Sequence, residues 1–200
     1  TIKVGFVGSA EALAAIAAFA SDYPSVPVIA YMPDLSWWTE DEIDSYLDAF
    51  RELLLPQTAV LVGNNTTLRH WLLPESTTDR HARATELARA ASQLGVSYVL
   101  VTGMPTAGDQ VANVLASPEG ELLSQNFERI DAAFLGAGDL LSAALAALLA
   151  TGSELSEAAA EALQYLDRAL DHGFRPGMGR AVADRLFWAE TDDSQTETDD

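Results

Sequence analysis

Tyr98-Val99-Leu100-Val101-Thr102, ending at Gly103, shows no alternation of apolar and polar residues. A short run of this kind predicts a strand buried on both faces, as in a parallel sheet covered by helices above and below. Upstream, the runs at 58–62, 26–31 and 2–7 read as further strands, each separated from the next by helical sequence. Ser9 is placed to cap an alanine-rich helix over 10–20, and Glu11 sits near its positive end. Thr39 and Glu42 have capping-box spacing for a helix from 39 to about 54. A short helix with Leu68, Trp71 and Leu72 inward follows Gly63-Asn64-Asn65, and Leu87, Ala88, Ala91 and Leu94 fit a longer one over 78–94.

Downstream, 111–116 and 121–124 flank Pro118-Glu119-Gly120 and predict a hairpin. Helices follow at 139–150 and 155–172, then the break Pro176-Gly177-Met178-Gly179 and an apolar hook, Leu186-Phe187-Trp188. Strands alternating with helices predict an α/β fold whose central sheet is mostly parallel and flanked by helices, with the antiparallel hairpin at one edge. No linker or repeat divides 1–189, which reads as one domain; 190–200 reads as a disordered acidic tail.

The charge is lopsided, with 30 acidic against 11 basic residues and a net of −19. Six of the acids fall in the last eleven residues, and the rest still outnumber the bases twofold. Such a surface repels nucleic acid. No apolar run reaches the ~18 residues of a membrane span, and no secretory signal opens the chain. The absence of cysteine excludes disulfides and thiolate metal sites, so the expected setting is cytoplasmic. The chain opens on Thr1 rather than Met, and its first strand has no upstream partner; both predict a piece of a longer protein.

Chemistry concentrates in Phe134-Leu135-Gly136-Ala137-Gly138-Asp139 and the small-residue helix behind it. Two readings stand. The glycines form a tight turn and nothing more, or they bring backbone N–H groups at a helix amino end against anionic oxygens. No Lys-Ser or Lys-Thr follows, which excludes a Walker loop. With no strand expected immediately before the run and no third glycine, a dinucleotide fingerprint is excluded too. On the second reading Asp139 is a general base for a hydroxyl attacking a phosphate. Lysine occurs once, at Lys3, so a phosphate site must draw on backbone N–H groups, a metal ion or a few arginines.

Gly136-Ala137-Gly138-Asp139 opening a small-residue helix resembles the signature of the ribokinase-like small-molecule kinases. Lys3 to Glu11, Leu53-Leu54-Leu55-Pro56 leading to Val60-Leu61-Val62-Gly63-Asn64, Val99 to Gly103, Leu141-Ser142-Ala143-Ala144 and the aromatic pair Phe187-Trp188 narrow it. In order, they resemble the hydroxymethylpyrimidine/phosphomethylpyrimidine kinases of thiamine synthesis over about residues 1 to 189. The resemblance implies a three-layer ribokinase-like fold, ATP as phosphoryl donor and Mg²⁺ on its phosphates. It implies Asp139 as base, with the backbone of Gly136, Ala137, Gly138 and Asp139 as an anion hole, and Thr102, Gly103 and Asn64 near the nucleotide. The acceptor implied is a small pyrimidine alcohol, hydroxymethylpyrimidine and its monophosphate, and family members are often homodimers.

Departures accompany the resemblance. The family's pyrimidine kinases commonly carry Cys at the position of Asp139, while ribokinases and many pyridoxal kinases carry Asp. Asn64 matches the first residue of an Asn-x-x-Glu motif whose Glu is here Thr67. Tyr31-Met32-Pro33-Asp34 replaces an Asp-Pro, leaving Asp34 as a stand-in, and Leu135 stands where Ser, Thr or His is usual. The family's N-terminal portion, which supplies much of the substrate pocket, has no counterpart in the 200 residues. These residues alone are therefore expected to be inactive. A pyridoxal kinase, and a catalytically silent module acting in subunit association, stand as alternatives.

Other features read more plainly. His70, His81 and His172 lack metal-ligand spacing, so no protein metal site is assigned. Ser9 and Ser142 lack a Ser-His-Asp context, and capping and packing account for them. Trp37 and Trp38 read as packing residues; Arg175, Arg180 and Arg185 form a positive cluster that could reach nucleotide phosphates, although pairing with nearby acids is the plainer account.

Overall fold

The computed structural model describes residues 1–74 and 81–189. Eight strands form, β1 (Ile2–Val4), β2 (Val28–Tyr31), β3 (Thr58–Asn64), β4 (Tyr98–Pro105), β5 (Gln110–Ala116), β6 (Glu121–Glu128), β7 (Phe134–Leu135) and β8 (Ala181–Val182). The helices are α1 (Ala10–Ser21), α2 (Glu40–Ala49), α3 (Asn65–Leu72), α4 (Ala84–Ser92), α5 (Ala137–Ala150) and α6 (Leu155–Asp171). β1 to β6 make one sheet in chain order; the first four strands are parallel and β5 and β6 add antiparallel. β7 and β8 pair in parallel outside it.

Side-chain alternation along the sheet sorts the core into two layers. Ala30, Leu61, Val99 and Val101 point to the face covered by α1, α2 and α4. Ile29, Val60, Val62 and Leu100 point to the other, where Leu141, Leu145, Ala159, Ala162 and Leu163 of α5 and α6 close over them. Burial on both faces is why these strands lack a polar alternation. The α/β fold with a parallel sheet, flanking helices and an edge hairpin is thus as expected.

Several boundaries shift, each for a local reason. β1 stops at Val4, just before Gly5, where an added Cβ would overlap the Lys3 and Asp139 side chains. The helix expected to run to 54 ends at Ala49 and widens into a π turn, Phe50–Leu54, closed by Leu55 N–H on the Phe50 carbonyl. The wider turn buries Phe50, Leu54 and Leu55 together before the chain enters β3. α4 begins at Ala84 because Arg83 is extended and its N–H donates to Glu86 Oε2 at 3.0 Å; the expected start at 78 lies outside the described residues. β4 continues to Pro105, since β5 keeps pairing with it past a register shift at Thr102-Gly103. A strand does precede the glycine run, contrary to expectation: β7 forms because β8 returns alongside it, a pairing local patterning cannot show.

The caps at Ser9 and Thr39 form, with Ala12 N–H donating to Ser9 Oγ at 3.1 Å and Thr39 N–H to Glu42 Oε2 at 3.0 Å. Gly120 and Ser117 close the hairpin, Ser117 N–H reaching the Gly120 carbonyl at 2.9 Å. Among the described residues no helix is long and apolar enough to cross a membrane.

Candidate active site

In a parallel sheet the strands end together along one edge, and this edge is where open α/β folds bind ligands. Tyr31 ends β2, Asn64 ends β3, and Thr102 lies opposite Asn64 in the β3–β4 register. The amino end of α5 meets the same edge. Gly136 is its N-cap, with φ of 77°, a left-handed turn that glycine takes without cost. The first helical hydrogen bond runs from Leu140 N–H to the Gly136 carbonyl at 2.9 Å, so the N–H groups of Ala137, Gly138 and Asp139 precede the helical ladder. They present three donors and the positive end of a 14-residue helix.

A cavity of about 300 Å³ brings the expected nucleotide residues together: Asn64, Thr102 and Gly103 line it with Ala137. Asn64 Oδ1 accepts from Thr66 N–H at 2.9 Å, capping α3, and Gly103 N–H donates to Asn113 Oδ1 at 3.0 Å. Asp167 of α6 closes the far side. Burial, with Asp171 and Glu128 adding repulsion, holds its carboxyl above the usual aspartate range.

A second cavity, about 550 Å³, adjoins the first at Asn64 and is lined by Tyr31, Asp34, Thr66, Thr67 and His70. Asp34 Oδ1 accepts from Ser36 N–H at 2.9 Å. Oxygen atoms supply most of the polar groups on this largely apolar wall, and Asp34 is its carboxylate. Mg²⁺ needs one or two carboxylates when phosphates complete its shell, so this donor set fits an ion carried on a nucleotide. It does not make a protein cage: among the described residues no group of three or more His, Cys, Asp or Glu converges.

Asp139 stands in the first turn of α5, outside the lining of both cavities. Lys3 Nζ donates to its Oδ1 at 2.5 Å from the adjacent strand β1. The Tyr31 ring lies against Gly138, so close that a Cβ there would overlap it. Burial, then the charges of Asp139 and Asp34, push the Tyr31 hydroxyl above its usual range.

The residues of the glycine run and the strand ends therefore meet at one edge of the sheet. Reading the sequence missed Lys3 as a contact of Asp139; its being the sole lysine was the available signal. It missed Tyr31 too, and for Arg185 it favoured an acid partner over a reach toward phosphates. Arg185 instead brings its guanidinium beside Gly136, and no ion pair joins it to an acid among the described residues. Ser142 is buried with its Oγ donating to the Gly138 carbonyl at 2.9 Å, a packing role as expected. His172 caps α6 at its carboxyl end and His70 lies in the last turn of α3.

The family model described as phosphomethylpyrimidine kinase matches residues 1–184. The chain belongs to this family. It is 31% identical over 179 residues to the pyridoxine/pyridoxal/pyridoxamine kinase of Bordetella avium, covering 84% of this chain and 59% of that kinase. The chain therefore spans well under two thirds of this relative. Among solved structures it resembles the ADP complex of Bacillus subtilis pyridoxal kinase, with a TM-score of 0.79 at 23% identity over 94% of this chain and 71% of that one. It also resembles Staphylococcus aureus pyridoxal kinase in complex with AMP-PCP and pyridoxal, with a TM-score of 0.79 at 16% identity over 94% and 68%. The fold of this family member is the ribokinase-like fold of the vitamin kinases.

Proposed function

We propose that this chain carries the phosphoryl-transfer centre of an ATP-dependent vitamin kinase. Its acceptor is the exocyclic hydroxymethyl group of hydroxymethylpyrimidine, and in a second step the monophosphate, on the way to thiamine diphosphate. One observation carries the reading: Asn64, Thr102 and Gly103 share a cavity with the amino end of α5, whose first turn holds Asp139.

In this reading Asn64, Thr102 and Gly103 hold the nucleotide where the parallel pairing of β3 with β4 ends. Asp139 takes the proton of the acceptor hydroxyl as its oxygen forms the bond to the γ-phosphorus and the bond to the β-phosphate oxygen breaks. The N–H groups of Ala137, Gly138 and Asp139 hold the charge on the transferred group. Arg185, beside Gly136, adds a cation on that side. Asp34, with Asn64 and the Thr67 hydroxyl, would hold Mg²⁺, which when bound neutralises phosphate charge.

A second reading, pyridoxal kinase, is favoured by the 31% identity to the Bordetella kinase and by Asp139 itself. Both acceptors are flat heterocycles bearing a hydroxymethyl group, so the chemistry at Asp139 is shared. The test is ATP-dependent phosphorylation of hydroxymethylpyrimidine and of pyridoxal, by the 200-residue chain and by a form extended to the relatives' length. We expect turnover from the extended form and none from the shorter. Asp139→Asn should lower kcat by ~100-fold or more with nucleotide affinity retained. Unchanged turnover would remove Asp139 from the base role.

A further inference from the structure

Lys3 and Asp139 are 136 positions apart in sequence, yet Nζ and Oδ1 meet at 2.5 Å. Their approach has a structural requirement. A Cβ at Gly5 would sit 2.5 Å from Lys3 Nζ and overlap Asp139 Oδ1, so residue 5 must lack a side chain for the two to meet as they do. Stability is a weak reason for this arrangement. The two side chains are 26% and 37% exposed, and ion pairs that open to solvent contribute little.

Electrostatics supplies a stronger reason. Asp139 places a negative charge in the same helical turn whose N–H groups Ala137, Gly138 and Asp139 present to an anion. Its field is felt at Tyr31, whose hydroxyl it helps to push up. Left unbalanced, that charge opposes any phosphate entering the turn, because like charges a few ångströms apart near a protein surface repel strongly. Lys3, the sole lysine of the chain, stands on that carboxylate.

We propose that Lys3 is a positioning residue that holds the Asp139 carboxylate and balances its charge, so that the turn opening α5 can admit the terminal phosphate of a nucleoside triphosphate. The proposal rests on the kinase reading and deepens it. It assigns triphosphate admission to a cation acting through Asp139, distinct from the groups that touch the nucleotide.

The test is calorimetric titration of AMP-PCP and of ADP into the 200-residue chain, its Lys3→Met and Lys3→Arg variants, and the double variant Lys3→Met/Asp139→Asn. Lys3→Met should weaken AMP-PCP ~10-fold or more and ADP by less than about 3-fold, since only the triphosphate brings charge to Asp139. Lys3→Arg should restore AMP-PCP affinity to within about 3-fold, and so should adding Asp139→Asn to Lys3→Met. Thermal melts accompany each titration; should Lys3→Met fail to fold, Lys3→Gln carries the same expectation. Equal AMP-PCP affinity in Lys3→Met and the parent chain would overturn the proposal. A loss that Asp139→Asn does not restore would overturn it too, by making Lys3 a direct phosphate ligand. If the parent chain binds neither nucleotide, the kinase reading itself fails.

Discussion

Gly138→Ala is the most exacting perturbation of this site. A Cβ there would lie 2.7 Å from Tyr31 Oη and closer still to two ring carbons, well inside van der Waals contact. The ring cannot swing away freely, because Tyr31 is partly buried against the core beneath α5. Inserting a methyl group into a packed contact costs about 1–3 kcal/mol. Against this, Gly138 has no positive φ, and alanine is the better helix former by about 1 kcal/mol at most. The overlap is severe enough for the steric cost to win, leaving a net loss of up to about 3 kcal/mol, or up to roughly 12 °C in Tm for a chain of this size. The double variant Tyr31→Ala/Gly138→Ala separates the terms. With the ring gone, alanine at 138 should become neutral or stabilising, a coupling of about 1–3 kcal/mol by guanidinium melts of the four proteins. Additivity within about 0.5 kcal/mol would refute the placement of Tyr31 against Gly138.

Three further outcomes follow from named groups. Asp167 is held above its ordinary pKa by burial, Asp171 and Glu128, so the native state binds its proton more tightly than the unfolded chain does. Its contribution is therefore complete below the ordinary value and lost as pH rises; Asp167→Asn should raise Tm at pH 7, with the gain fading as pH falls below the ordinary aspartate value. Tyr31 is pushed up chiefly by burial, so stability falls as pH rises beyond the ordinary tyrosine value of 10.0, and Tyr31→Phe should flatten the alkaline limb of a Tm–pH curve. Leu145 is fully buried between α5 and the sheet, and Leu145→Ala should cost about 2–5 kcal/mol in denaturant melts; a loss under 1 kcal/mol would contradict that packing.

Much of the architecture was legible because it is local. Non-alternating apolar runs mark strands buried on both faces, and β2, β3 and β4 form where those runs lie. Ser9 and Thr39 cap as their spacing indicates, and the hairpin closes at Pro118-Glu119-Gly120. Phe50, Leu54 and Leu55 show the limit: their spacing continues a helix, but burying all three at once requires a π turn. β7 and β8 were equally hidden, since two residues carry no periodicity and the pairing spans the whole of α5 and α6.

The site divides along the same line. By itself the sequence determined that a glycine turn opens a helix at Gly136 to Asp139, because these residues and the helix behind them are contiguous and their geometry is set by local conformational preference. It also placed Asn64 at a strand end, where parallel sheets bind ligands, and Thr102 beside it, although β4 runs on past Thr102 to Pro105. Only the tertiary structure decided what surrounds the carboxylate of Asp139. Lys3 reaches it from the first strand, Gly5 lies against it just past that strand's end, and Tyr31 comes alongside from the second, at sequence separations no local pattern encodes. Contacts of that kind depend on how α5 packs across β1 and β2, and the energy that sets this packing is spread over the buried residues of the whole sheet.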